Sequence, residues 1–107
     1  MAYDPARDPL RTLATSASSR ARRLRRVTPS DTEDLAVYAK SLWLYVPEAV
    51  AGGEASVRLT CVGAASDADT VDVLAPPGLQ PLPPVQVRRV WATGTTAGVA
   101  LYALSDR

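Results

Sequence analysis

Apolar and polar positions along this chain alternate in short runs, and each run is closed by a cluster of turn-forming residues. From Ala55 to Val62 the alternation is clean, with Val57, Leu59 and Cys61 on one face and Arg58 and Thr60 on the other. Thr70 to Ala75 repeats it with Val71, Val73 and Ala75. Ala39 to Val46 is denser in strand formers, holding Leu42, Trp43, Leu44, Tyr45 and Val46 before Pro47, with Ala51-Gly52-Gly53-Glu54 making the return. Two further runs, Val85–Ala92 and Val99–Leu104, flank Thr93-Gly94-Thr95-Thr96-Ala97-Gly98 and predict a closing hairpin. Five strands follow from this pattern.

Between the third and fourth, Pro76-Pro77-Gly78 and then Pro81, Pro83 and Pro84 argue against a ladder strand, because proline has no N–H to donate. The alternation also breaks inside the closing hairpin. Val85 and Val87 face one way, yet the next apolar pair is Val90 and Ala92, so a β-bulge at Arg88-Arg89 is expected, leaving one arginine free at the sheet edge. The last run is apolar on both faces: Val99, Leu101 and Ala103 on one, Ala100, Tyr102 and Leu104 on the other. A strand apolar on both sides in so small a domain points to contact with another subunit. The pattern predicts an all-β fold, a small antiparallel β-sandwich or jelly-roll-like domain.

The first 30 residues differ. Leu10, Leu13, Ala14, Ala17, Ala21 and Leu24 fall at helical spacing, but serines and alanines make the stripe weak, so this is read as an extended or partly helical basic N-terminal arm. Ser30 and Glu33 fit a capping box, which would start a helix through Leu35–Val46; the crowding of strand formers there favours a strand. The expected division is residues 1–30 as arm and 31–107 as β domain.

Charge sharpens that division. Residues 1–30 carry seven arginines against Asp4 and Asp8, while residues 31–107 carry five basic against nine acidic residues. A basic arm on an acidic body suits docking on acidic surfaces or phosphates. Arg20, Arg22, Arg23, Arg25 and Arg26 are the candidates, with docking on a protein placed ahead of nucleic acid, because no aromatic residue lies between Tyr3 and Tyr38. The alternative, a small nucleic-acid-binding protein, uses the same arginines on phosphates.

Catalytic chemistry has little to work with. The chain of 107 residues has no histidine and one cysteine, so a serine triad, a cysteine-rich metal site and an internal disulfide are all excluded. Cys61 reads as a small buried hydrophobe. Asp67, Asp69 and Asp72 lack the remaining ligands of a calcium loop. Lys40 and Ser41 adjoin, but neighbours in a strand point to opposite faces. Trp43, Tyr45, Trp91 and Tyr102 could stack on sugars, although the pattern does not place them on one exposed face. No secretory signal layout is present; residues 10–27 share the Arg, Ser and Ala richness of a transit peptide, a minor alternative. No enzyme activity, cofactor or metal is expected.

Two blocks carry a family resemblance. Thr28-Pro29-Ser30-Asp31-Thr32, Asp34 and Leu35 form one; Val87, Arg89-Val90-Trp91-Ala92-Thr93-Gly94-Thr95-Thr96-Ala97, with the closing Ala100-Leu101-Tyr102, form the other. With the intervening strands they resemble the head spike base proteins of gene transfer agents, phage-derived particles that carry host DNA between cells. The chain departs from that pattern in a longer return from Val46 to Glu54 and in its long Arg-rich arm. The resemblance implies a non-enzymatic β-sandwich protein at five-fold vertices of the particle head, assembled in the bacterial cytoplasm and displayed on the surface of the extracellular particle. It implies a homo-oligomer, expected to be a pentamer, bound to capsid protein and holding a spike fibre used in adhesion to the recipient cell. No membrane partner is expected. The arm arginines would dock on the capsid, and Trp43, Tyr45, Arg89, Trp91, Tyr102 and Leu104 would form the subunit or fibre interface.

Overall fold

A computed structural model describes residues 3–9, 19–49 and 54–107. Seven strands occur among them: β1 (Arg23–Val27), β2 (Ser41–Val46), β3 (Ala55–Cys61), β4 (Val71–Ala75), β5 (Gly78–Pro81), β6 (Val87–Val90) and β7 (Ala100–Ser105). They form two antiparallel sheets, four-stranded β1-β7-β2-β5 and three-stranded β4-β3-β6. The expected all-β sandwich is therefore present.

The core lies between the sheets and is filled by the inward-facing side chains of its strands. Leu42, Leu44 and Val46 of β2, Val57 and Leu59 of β3, Val87 and Val90 of β6, and Leu101 and Ala103 of β7 are all buried. Each fully buried aliphatic side chain contributes about 1.5–3 kcal/mol relative to exposure, so these strands hold the domain together. Alternation fades at β4, where Ala75 is buried, Val73 half-buried and Val71 exposed, because β4 ends its sheet.

Four expectations are corrected. The two closing runs are not a hairpin: β6 pairs with β3 and β7 pairs with β1 and β2, so residues 91–99 carry the chain from one sheet to the other. The proline-rich segment does contain a strand. β5 pairs with β2 from Trp43 opposite Pro81 to Val46 opposite Gly78, which proline tolerates because β5 is an edge strand. Residues 23–27 of the expected arm form β1, paired along β7 from Arg23 opposite Ser105 to Val27 opposite Leu101. Seven strands thus replace five. The rest of the helical stripe, residues 10–18, lies outside the described residues, as do residues 50–53 of the return.

Two local readings hold. The ladder between β3 and β6 slips by one residue, Thr60 facing Arg89 and Cys61 facing Val87, which leaves Arg88 unopposed as the expected bulge. It buries Val87 and Val90 together, whereas Val85 and Ala92 remain exposed. Nor is the bulged arginine free, as described below. Ser30 Oγ accepts from the N–H groups of Thr32 and Glu33 at 3.2 and 3.1 Å, the first half of a capping box, but no helix follows. Residues 30–39 instead run along β6, with Ser30 N–H donating to the Val90 carbonyl, Leu35 N–H to Arg88 and Ala39 N–H to Val87.

Candidate interaction surfaces

The outward face of the four-stranded sheet is apolar. Tyr102 of β7 sits beside Trp43 of β2, Leu104 beside Leu24 of β1, and Tyr45 beside Leu79 of β5. Together Leu24, Trp43, Tyr45, Leu79, Tyr102 and Leu104 line an open depression of about 720 Å³. Trp43 and Tyr45 are 36% and 45% exposed, Leu24 and Leu79 65% and 58%. Such cross-strand aromatic pairs stabilise the sheet, but this one leaves its rings uncovered. The Arg26 guanidinium lies 5.8 Å from the centre of the Tyr102 ring and gives the depression a cationic rim. The expectation that the aromatics do not share an exposed face is overturned for three of the four.

Arg89 and Trp91 are not on that face. Arg89 is buried, its Nε donating to Asp34 Oδ1 at 2.7 Å and its Nη1 to the Asp31 carbonyl at 3.4 Å. The bulged Arg88 donates to Asp34 Oδ2 at 3.1 Å and to Asp67. The guanidinium of Arg89 stacks 5.2 Å from the Trp91 ring centre, and the Trp91 indole N–H donates to Thr60 Oγ1 at 2.8 Å. Hydrogen bonding to Arg89 and then Arg88 holds the Asp34 carboxyl below the usual carboxylate range against some desolvation. Asp31 is likewise held low, chiefly by the Thr93 hydroxyl, which donates at 2.6 Å while the Thr93 N–H donates at 2.8 Å.

The threonine-glycine turn has a comparable role. Thr95 Oγ1 accepts from Arg58 N–H at 3.1 Å and Thr96 Oγ1 from Ser56 N–H at 2.9 Å, so side chains satisfy β3 beyond the end of β6. Gly94, at φ +95°, lies where a Cβ would come within 2.6 Å of the Arg58 guanidinium. The two sequence blocks that carry the resemblance, 28–35 and 87–97, are therefore pressed against each other, and their polar residues lock one to the other. Sequence reading found both blocks and missed that they meet, since the pairing of Asp34 with Arg89 spans 55 positions.

The five arm arginines separate into different settings. Arg20 and Arg23 are exposed. Arg22 pairs with Asp8 at 3.4 Å and lies over Tyr3. Arg25 donates to Ser105 Oγ at 2.8 Å and to the Arg107 carbonyl, and Arg26 rims the aromatic face.

The other candidates are occupied structurally. Lys40 pairs with Asp106 at 3.2 Å rather than with Ser41. Asp72 pairs with Arg58 at 2.9 Å, and Asp67 serves Arg88 and Arg89. Among the described residues no group of three or more acidic, cysteine or histidine side chains is placed to hold a metal. Cys61 is a half-buried free thiol.

These surfaces define a small β-sandwich with an apolar sheet face and an arginine-bearing edge, features of a protein that contacts other chains. No protein-family model and no curated protein matches the sequence. A solved structure does: a chain of the capsid of a native GTA particle computed with C5 symmetry, 28% identical, spanning 92% of this chain and 99% of that one, with a TM-score of 0.66. That likeness supports a structural component of a gene transfer particle.

Proposed function

We propose that this chain is the head spike base of a gene transfer particle, an oligomeric socket seated at a five-fold capsid vertex and holding a spike fibre. The observation that carries this reading is the likeness over nearly the whole length of both chains to a capsid chain in a C5-symmetric structure. A chain seated at a vertex repeats five times about the axis, which fits a pentamer. The resemblance of blocks 28–35 and 87–97 to spike base proteins supports the same assignment.

The apolar sheet face receives the fibre in this reading. Its lining side chains offer only two phenol hydroxyls and one indole N–H as polar groups, too few to replace the hydration of a sugar, whereas they suit the apolar side chains of another protein. The fibre, and not this chain, would then meet the recipient cell. Capsid docking falls to the segment before β1, since Arg25 is committed to the C-terminus and Arg22 to Asp8. Those commitments also leave fewer cations for phosphates, which disfavours nucleic acid as the partner.

The docking assignment is tested by Arg7→Ala/Arg11→Ala/Arg20→Ala in the full chain, three positions outside β1–β7. Particles assembled with this variant are expected to carry it at roughly a tenth of wild-type occupancy or less, as the loss of three charge-assisted contacts would give. Full decoration by the folded variant would refute docking through the arm.

A further inference from the structure

Four strands end a sheet, and two of them are closed to further pairing. β5 has four residues, finishes on Pro81 and runs into Pro83 and Pro84, so its outer side cannot extend a ladder. β6 is covered on its outer side by residues 30–39 through the three backbone hydrogen bonds from Ser30, Leu35 and Ala39. The remaining two, β1 and β4, have no strand on their outer sides among the described residues. On the β7 side of β1 the pairing direction is set: Lys40 N–H donates to the Leu104 carbonyl from the β2 side at 2.8 Å. Alternation then turns the peptide groups of Ser105, Ala103 and Leu101 toward β1, and leaves those of Leu24 and Arg26 aimed outward.

The two open edges are opposite in charge and alike in apolar content. β1 carries Arg23 and Arg26, with Arg20 just before it, and exposes Leu24 at 65%. Beside β4, Asp72 is paired with Arg58 and Asp67 with Arg88 and Arg89, so the acidity of this edge comes from Asp69 in the loop before it and from Glu54, exposed beside β3. β4 itself exposes Val71 at 54% and Leu74 at 61%. An open edge with uncovered aliphatic side chains is a site of strand addition that proteins otherwise blunt.

We infer that the β1 edge of one copy adds to the β4 edge of the next, head to tail, so that the four-stranded sheet of each copy continues into the three-stranded sheet of its neighbour. This rests on the oligomeric reading above and names the surfaces that build it. A head-to-tail contact closes into a ring when the rotation between copies divides a full turn, as seating about a five-fold axis requires. Charge complementarity fixes its direction, since β1 on β1 or β4 on β4 would juxtapose like charges. The aromatic face meets the β1 edge at Leu24 and Arg26, but its rings, Trp43, Tyr45 and Tyr102, lie on the inner strands β2 and β7 and remain free for the fibre.

Charge exchange between the edges tests this in the full chain. Arg23→Glu/Arg26→Glu makes both edges acidic, and Glu54→Lys/Asp69→Lys makes both basic; neither pair touches the core or the Asp34 network. Native mass spectrometry is expected to show closed rings for the wild type and single copies for each two-site variant, all with the same far-ultraviolet circular dichroism. The chain bearing all four substitutions has reversed but complementary edges and is expected to recover the ring. Wild-type-like rings from both two-site variants, or no recovery in the four-site chain, would overturn the edge assignment. A wild type found as single copies at every concentration would instead overturn the oligomeric reading beneath it.

Discussion

A chain lacking residues 99–104 is expected to be unfolded, not merely unable to assemble. β7 is an inner strand of its sheet: β1 pairs with one side of it and β2 with the other. Its removal strips the ladder partner from both and empties the positions of Leu101 and Ala103, which face the core. β1 would then have no neighbour, and β2 would keep only the four-residue β5. The domain is small enough that one core barely offsets the entropy of ordering it, so no reserve covers the loss. A milder change reports on the same position. Leu101→Ala removes most of a side chain that is 1% exposed, which costs about 2–5 kcal/mol in well-packed cores. Circular dichroism and thermal melting measure both: no cooperative transition for the deletion, and a strongly lowered midpoint for Leu101→Ala. A native-like melt from the deleted chain would show that the second sheet folds without β7.

Asp34→Ala is expected to have the next largest effect. Asp34 is the shared acceptor of Arg88 and Arg89, and its neighbour Leu35 bonds the Arg88 carbonyl. Losing the carboxylate leaves the buried Arg89 with the more distant Asp67, at 3.4 Å, and the Asp31 carbonyl. Depriving a buried cation of its main partner costs about 2 kcal/mol, which for a domain of this size lowers the melting midpoint by roughly 10 °C.

The same network sets a pH dependence. Asp34 and Asp31 are held below the ordinary carboxylate range in the folded protein, so the unfolded chain takes up protons first as pH falls. Their contribution is present in full above the unfolded value of about 3.9, and it is lost as pH drops through the lower folded values. The melting midpoint of the wild type should therefore decline below about pH 4, and that of Asp34→Ala should decline less. Equal slopes for the two proteins would mean that the Asp34 ion pairs carry no pH-linked stability.

The sequence displayed the strands more clearly than their arrangement. Alternation located β3 and β4, the density of strand formers located β2, β6 and β7, and the break in pattern at Arg88-Arg89 located the bulge, because side-chain period and residue type are local properties. A turn shows only that the chain reverses. Whether residues 91–99 return within a sheet or cross to the other one depends on which surfaces the core brings together, and nine residues readily span the roughly 10 Å between packed sheets. β1 was hidden for a different reason: Arg-Leu-Arg-Arg-Val lies on an edge, so only Val27 had to be buried. β5 was hidden because proline argues against inner strands and not against edges.

The interaction face was half legible. Trp43 and Tyr45 are two apart and share one side of β2, which the sequence displays; Tyr102 joins them only because β7 lies beside β2. Arg89 and Trp91 were assigned to the interface through the resemblance, and the burial of Arg89 and half-burial of Trp91 follow from partners contributed by residues 31–34 and 60. The blocks that carry the family resemblance are thus structural locks, while the face available to a partner lies outside the more specific of those blocks.

The central claim, that this chain is a structural part of a gene transfer particle head, is tested most directly by imaging particles from cells with and without its gene. The account predicts five-fold-symmetric density of this protein at head vertices in the first case. It also predicts heads that are closed but bare at those vertices in the second. Identical heads from both cells, with the chain absent from purified particles, would contradict it.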